Sequence, residues 1–378
     1  NSKKLAILVV LLMIAPIVLA ACGATPEPEV VEVVKTVVVE QTKIIEKEGE
    51  TITVVETVEV EVPVEVTVAA PEPEPEPEAG IGPYRIALFE DPVSINYWNY
   101  LGPGSSVWTA YVLAGQQPTL YTLSDVTFQF VPFLAADMAE PVDNGDGTWS
   151  IEVPMVQDAA WSDGTAITAH DVVFTHNACK DLKLTQNWQN NCAPNGADIT
   201  AEALDDYTVK YTYLDQQPSL GNWQAGLALA PIMPQGFWQA ATDEAYAFVE
   251  GVTAPDVERP GDCEAEDLSD EDKAACEAWV PYDEAYENAR KTLYEADATG
   301  SPSGGGYVTD KVELGAFAQR TANDGYYFKG AEIVEYEDGT WMLIHPNGTT
   351  YQLYGDAAGE ETLRFTSGPY APNIIFSI

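Results

Sequence analysis

Five cysteines and three histidines are the residues of this chain best suited to chemistry, and their spacing sorts them. Cys22 stands alone behind an apolar run. The other four form two local pairs, Cys179 with Cys192 and Cys263 with Cys276, each 13 residues apart. In an exported chain, an even count in short local pairs reads as two disulfides. Each would close a loop worth about 3 kcal/mol on the chain-entropy model. A metal centre on Cys179 and His176 is the rival, but no Cys-x-x-Cys occurs and only His170 and His345 remain as further imidazoles. The sequence therefore points to no metal and no cofactor. Asp143-Asn144-Gly145-Asp146-Gly147 has neither the regular ligand spacing nor the distant Glu of a calcium loop. It reads as a turn between strands at 138–142 and 148–153. Covalent catalysis has no visible apparatus, since Gly-x-Ser-x-Gly and His-Glu-x-x-His are both missing. Acidic side chains are too abundant for any pair to mark a glycosidase.

Non-covalent recognition has better material. After a first strand at 83–89, the stretch from Glu90 to Tyr100 is dense in aromatic and amide groups, among them Asn96, Tyr97 and Trp98. Trp108 and Tyr111 follow on an expected helix. Rings with a few polar groups serve to pack and orient a peptide or sugar. Asn96, Tyr97, Trp98, Trp108 and Trp223 are the candidate ligand contacts, with core packing as the competing role for each aromatic.

The elements that must carry these groups follow a clear order. Asn1-Ser2-Lys3-Lys4, the apolar run from Leu5 to Leu19 and the small residues before Cys22 make a secretory signal. Its apolar core is short for a spanning helix. From Ala24 to Gly80 there is no aromatic residue, and 15 Glu against 3 Lys give a charge of −12. Val and Glu alternate with strand period, and Pro71 to Glu78 is a Pro-Glu run of polyproline type. This is an acidic tether, read as a stalk that is extended or pairs with copies of itself. An adhesive or oligomerising role for it is the alternative.

Ser162-Asp163-Gly164 is a turn, and Thr168 is the N-cap of a helix opening with His170 and Asp171 and continuing into Val172, Val173 and Phe174. Asp205-Asp206 turns into an alternating strand at 207–213. Residues 239–298 are rich in Ala, Glu and Asp and should be helical, with a loop near 255–261. Strands follow at Gly304 to Val308, near Val312 to Phe317, and at 332–336 and 340–345. Pro346-Asn347-Gly348 marks a further hairpin turn.

Trp161-Ser162-Asp163-Gly164 with Thr168-Ala169-His170-Asp171-Val172-Val173-Phe174 resembles the signature of the family 5 extracellular solute-binding proteins, the peptide- and nickel-binding receptors of bacterial ABC importers. That family usually has Glu where His170 stands. Leu120-Tyr121-Thr122-Leu123, Phe133-Leu134-Ala135-Ala136, Asp205-Asp206-Tyr207-Thr208-Val209, Ile232-Met233-Pro234 and Tyr326-Tyr327-Phe328-Lys329-Gly330 resemble further pieces of it in the same order. Leu19-Ala20-Ala21-Cys22 resembles the bacterial lipobox, which implies lipidation of Cys22 and attachment to the membrane.

The resemblance implies a mixed α/β fold like that of the type II periplasmic binding proteins. It divides the chain into a signal peptide at 1–22, the tether at 23–80, a first segment of the main lobe at 81–118, a small lobe at 119–225 and more of the main lobe at 226–378, with the helical insertion at about 239–298. In that family a large second lobe follows, so the chain reads as a fragment whose cleft has one wall, with the face meant for the other wall exposed. It further implies an oligopeptide or similar small solute as ligand, lobe closure as mechanism, an ABC permease as partner and a monomer held at the cell membrane by its N-terminal lipid.

The net charge of −43 excludes nucleic acid as a natural partner, because phosphate binding needs clustered Lys and Arg. Two other readings remain: a surface structural or adhesive lipoprotein built around the tether, and an exported hydrolase.

Overall fold

The computed structural model describes residues 30–47, 50–67, 81–124, 127–265, 267–313 and 315–377. The residues read as a signal sequence, Cys22 and the Pro-Glu run at 71–78 lie outside these. Two compact units are present, residues 1–80 and residues 81–378.

In the first unit, β1 (Val30–Lys47) and β2 (Glu50–Thr67) pair antiparallel along their whole length, from Val30 opposite Thr67 to Lys47 opposite Glu50. The strand period seen in the sequence is thus used within the chain. A connection of two residues closes the ladder at little entropic cost and satisfies the inner backbone groups of both halves.

The second unit begins with β3 (Tyr84–Ala87) and two short helices, α1 (Tyr97–Leu101) and α2 (Val107–Leu113). Residues 119–225, expected to form a small lobe, belong to this same unit. They hold the hairpin of β4 (Tyr121–Leu123) and β5 (Phe130–Pro132). Their main sheet is built from β6 (Val142–Asp143), β7 (Trp149–Pro154), β8 (Ile199–Asp205) and β9 (Thr208–Tyr213), in the order β6-β7-β9-β8. Along β9 the alternation is plain: Val209, Tyr211 and Tyr213 are buried, while the residues between them are half-buried. Between β7 and β8 run α3 (Ala169–Asp181) and α4 (Trp188–Cys192). The α3 start matches the sequence reading. The Thr168 N–H donates to Asp171 Oδ2 at 2.9 Å, and the Gln235 N–H donates to Asp171 Oδ1 at 2.9 Å. One carboxylate therefore fixes the start of α3 and the start of α5 (Gln235–Val249).

The acidic insertion is α5, a loop, and α6 (Asp270–Glu295), whose first turn carries Asp270, Glu271 and Asp272 at the positive end of the helix dipole. Both disulfides form as the spacing implied, Cys179–Cys192 and Cys263–Cys276. The first lies among Trp98, Phe174, Trp188, Trp238 and Leu293 in the helical core.

Two sheets complete the unit. β10 (Tyr307–Glu313), β11 (Phe317–Ala322) and β16 (Asn373–Ser377) join β3 in the order β10-β11-β16-β3, with β16 parallel to β3 and the other pairs antiparallel. β12 (Glu332–Tyr336), β13 (Trp341–Ile344), β14 (Thr350–Leu353) and β15 (Glu361–Thr366) form a separate antiparallel sheet ordered β14-β13-β12-β15. Among the described residues no helix is long and apolar enough to cross a membrane.

Candidate functional site

Parallel strands focus attention on their carboxyl ends, because the loops leaving there in α/β sheets form the usual ligand crevice. The β3–β16 pair ends at Ala87 and Ser377, and the Leu88 N–H extends the ladder by donating to the Ser377 carbonyl at 2.8 Å. The next residue, Phe89, is 88 % exposed. Its ring meets Trp108 edge-on at 5.5 Å, and Trp108 stacks on Tyr111 at 6.2 Å with 22° between the planes. Tyr111 and Val107 are exposed and Trp108 is half-buried. A continuous aromatic wall of three rings thus faces outward beside the acidic pair Glu90 and Asp91. Exposed rings in contact with one another make an apolar surface patch, a feature that ligands or partners commonly cover.

The wall is held by side chains set behind it. Ser106 caps α2, its Oγ accepting from the N–H groups of Trp108 and Thr109 at 3.2 Å each. Thr109 Oγ1 accepts from the Val93 N–H at 2.9 Å, and Asp91 Oδ1 accepts from the Gly315 N–H at 2.7 Å. These bonds pin the loop after β3 at two points. At the other end of α2, the buried Arg320 donates from Nη1 to the Ala114 carbonyl at 2.8 Å, placing a cation at the negative end of the helix. Burial pulls the Arg320 guanidinium down to about 10, with Tyr97 and Tyr307 acting in the opposite sense. Among the described residues it has no carboxylate partner.

The five candidate contacts divide by burial. Trp98 is fully buried, its ring 4.7 Å from Trp188, and its carbonyl accepts from Trp188 Nε1 at 2.8 Å. Trp223 is buried against Tyr121 and Tyr211 in the small lobe. Asn96 is also buried and its amide is fully used. Its Oδ1 accepts from the Trp98 N–H, and its Nδ2 donates to the carbonyls of Leu293, Tyr294 and Ala296. It caps α1 and ties it to the end of α6. These three are buried among core side chains. Tyr97 is half-buried, packs against Tyr100, and has its hydroxyl pKa raised by desolvation. Trp108 alone of the five stands in the exposed wall. The sequence reading places Phe89 inside a strand and carries no signal for Arg320. An apolar residue just past a strand end, followed by Glu-Asp-Pro, is the available clue to Phe89.

The motif at 161–164 has a connecting role. The Ser162 N–H donates to the Ser303 carbonyl at 2.8 Å, and the Ser303 N–H donates to Ser162 Oγ at 3.0 Å. This reciprocal pair joins the small lobe to the glycine-rich strand entry at 304–306. Gly305 is required there, since a Cβ would meet the Gly115 carbonyl oxygen at 1.7 Å. Among the described residues no group of three or more His, Cys, Asp or Glu is placed to hold a metal ion.

The family model described as "Bacterial extracellular solute-binding proteins, family 5 Middle" matches residues 129–354. This chain belongs to the family 5 extracellular solute-binding proteins. The oligopeptide-binding protein AppA of Bacillus subtilis, solved with a nonapeptide, is 14% identical with a TM-score of 0.45, over 79% of this chain and 40% of that one. The oligopeptide-binding protein of Thermus thermophilus, solved with a pentapeptide, is 12% identical with a TM-score of 0.44, over 78% and 40%. A mannohexaose-bound oligopeptide-binding protein of Thermotoga maritima is 16% identical with a TM-score of 0.45, over 80% and 38%. The family 5 chain described here spans about 40% of the length of these structures. No curated protein sequence matches it.

Proposed function

We propose that this family 5 protein is the lipid-anchored receptor of an ABC importer, capturing an oligopeptide or a similar solute outside the cell and delivering it to a membrane permease. Phe89, Trp108 and Tyr111 form one wall of the ligand site, and closure of a second lobe over them completes it. The observation that carries this reading is the exposed three-ring wall at the carboxyl ends of the parallel strands. Rings bind peptide side chains and sugar faces alike, which suits a receptor that tolerates varied solutes. No covalent step is needed. Cys22 is the lipid attachment point.

The test is uptake of labelled oligopeptides by cells carrying the wild-type gene, a deletion, or the Phe89→Ser, Tyr111→Ser double variant. Both changes are at exposed positions, so the variant keeps its thermal stability and loses uptake about tenfold or more. Unchanged uptake after deletion would remove the importer reading and favour a structural surface protein. Labelled palmitate incorporated by the wild type, but not by Cys22→Ala, checks the anchor separately.

A further inference from the structure

The sheet of β12 to β15 docks on the β4–β5 hairpin of the small lobe. Phe133 of the hairpin's outgoing chain stacks on Phe328 with centroids 4.5 Å apart. The Tyr354 hydroxyl donates to the Phe130 carbonyl, and Asn347 Nδ2 donates to Asp158 Oδ2 at 3.0 Å. The contact is therefore tied at its edges, yet its middle is not filled. A half-open hollow of about 130 Å³ remains there. Its floor is Phe328, Ile333, Trp341 and Leu343, of which all but Ile333 are buried. The half-buried Thr122, Tyr326 and Ser367 bring hydroxyls to its mouth, and the buried Trp341 Nε1–H has no hydrogen-bond partner among the described residues. None of the described residues lining it is charged, and none belongs to the aromatic wall at Phe89.

Size and chemistry together narrow what fits. An apolar cavity of roughly 150 Å³ accommodates one benzene ring. The floor offers ring faces and edges for a flat partner. Each mouth hydroxyl can donate or accept. Burial pushes the Tyr326 hydroxyl up to about 12, so it stays protonated across the working pH range. A charged ligand would have to lose its hydration with no opposite charge to receive it.

We propose that this hollow is a second ligand site, separate from the aromatic wall, for a small neutral ring compound bearing one hydroxyl or N–H group, of the phenol or indole class. The ring lies on Phe328 and Trp341, and the polar substituent bonds to the hydroxyls of Tyr326 and Ser367.

The experiment titrates phenol and indole into the purified protein by calorimetry and ligand-observed NMR, with benzoate as the charged control. The expected result is one site for phenol and indole and none for benzoate. Tyr326→Phe removes one hydrogen bond and weakens binding about fivefold. Ile333→Phe fills the hollow and abolishes binding. Phe89→Ser leaves it unchanged. The site is overturned if the folded wild type binds neither compound at millimolar concentration. It is equally overturned if Phe89→Ser abolishes binding, or if Tyr326→Phe leaves it unaltered. Should Ile333→Phe fail to fold, Tyr326→Phe and Phe89→Ser still decide the matter.

Discussion

Two loops of identical covalent length are closed by disulfides in this protein, and their surroundings are opposite. Cys179 and Cys192 are buried with Trp98, Trp188 and Trp238, at the meeting of α3, α4 and α5. Cys263 and Cys276 staple a surface loop to α6. There the loop is also held by Arg259, which forks onto Asp283 and lies over the Trp279 ring at 5.3 Å. The chain-entropy model assigns both cross-links the same value, because it counts only the residues in the loop. The difference shows what that count omits. A bridge inside the core closes a loop that opens only when the domain unfolds. A bridge on the surface closes a loop that can open alone, and then it stabilises a local state instead of the whole.

The largest effect should come from the buried pair. Cys179→Ala with Cys192→Ala loses the cross-link and leaves a small void among packed indoles, for a loss of about 4 kcal/mol in denaturant unfolding. Equal losses in the two double variants would break the comparison.

The same core offers a pH test. His176 is buried beside the bridge, and desolvation holds its imidazole down to about 4. The unfolded chain binds this proton at about 6.5 and the folded one does not, so stability is full above about pH 6.5 and falls as the pH drops toward 4. The contribution amounts to about 3 kcal/mol. Urea melts at pH 7 and pH 4.5 should show a drop that His176→Phe reduces.

A smaller effect is expected from Cys263→Ser with Cys276→Ser. Global stability should change by about 1 kcal/mol or less, while limited proteolysis cuts between residues 250 and 269 much faster. Mild reductant followed by alkylation should label these two cysteines well before the buried two. The smallest change belongs to Arg259→Ala, at about 1 kcal/mol or less, since its ion pair and its ring contact are both exposed.

Much of the body was legible because the signals were local. The turn and cap at 162–171, the Asp205-Asp206 hairpin, the Asn347-Gly348 turn and the helical insertion each depend on residues within a few positions of one another. The disulfides were legible because the pairs are close in sequence. The strands at 350–353 and 361–366 were not read, although Tyr351, Leu353, Leu363 and Phe365 alternate with polar residues, because each run holds only two apolar positions. The site was the least legible part. A tryptophan is equally at home in a core and on a half-open face, so residue type could not separate the buried Trp98 and Trp223 from Trp108. Phe89 and Arg320 owe their surroundings to long-range placement, one past the end of a parallel strand and the other behind a helix more than two hundred residues earlier.

The paired ribbon near the N-terminus changes the mechanics of the tether. Because Val30 lies opposite Thr67, the chain leaves the ribbon beside the point where it entered. Drawn out fully, the chain from Val30 to Thr67 could span about 130 Å, whereas in the ribbon its two ends lie one strand spacing apart, about 5 Å. Opening and closing of the ribbon would then let out or take up more than about 100 Å of chain, a change of length set by backbone pairing alone.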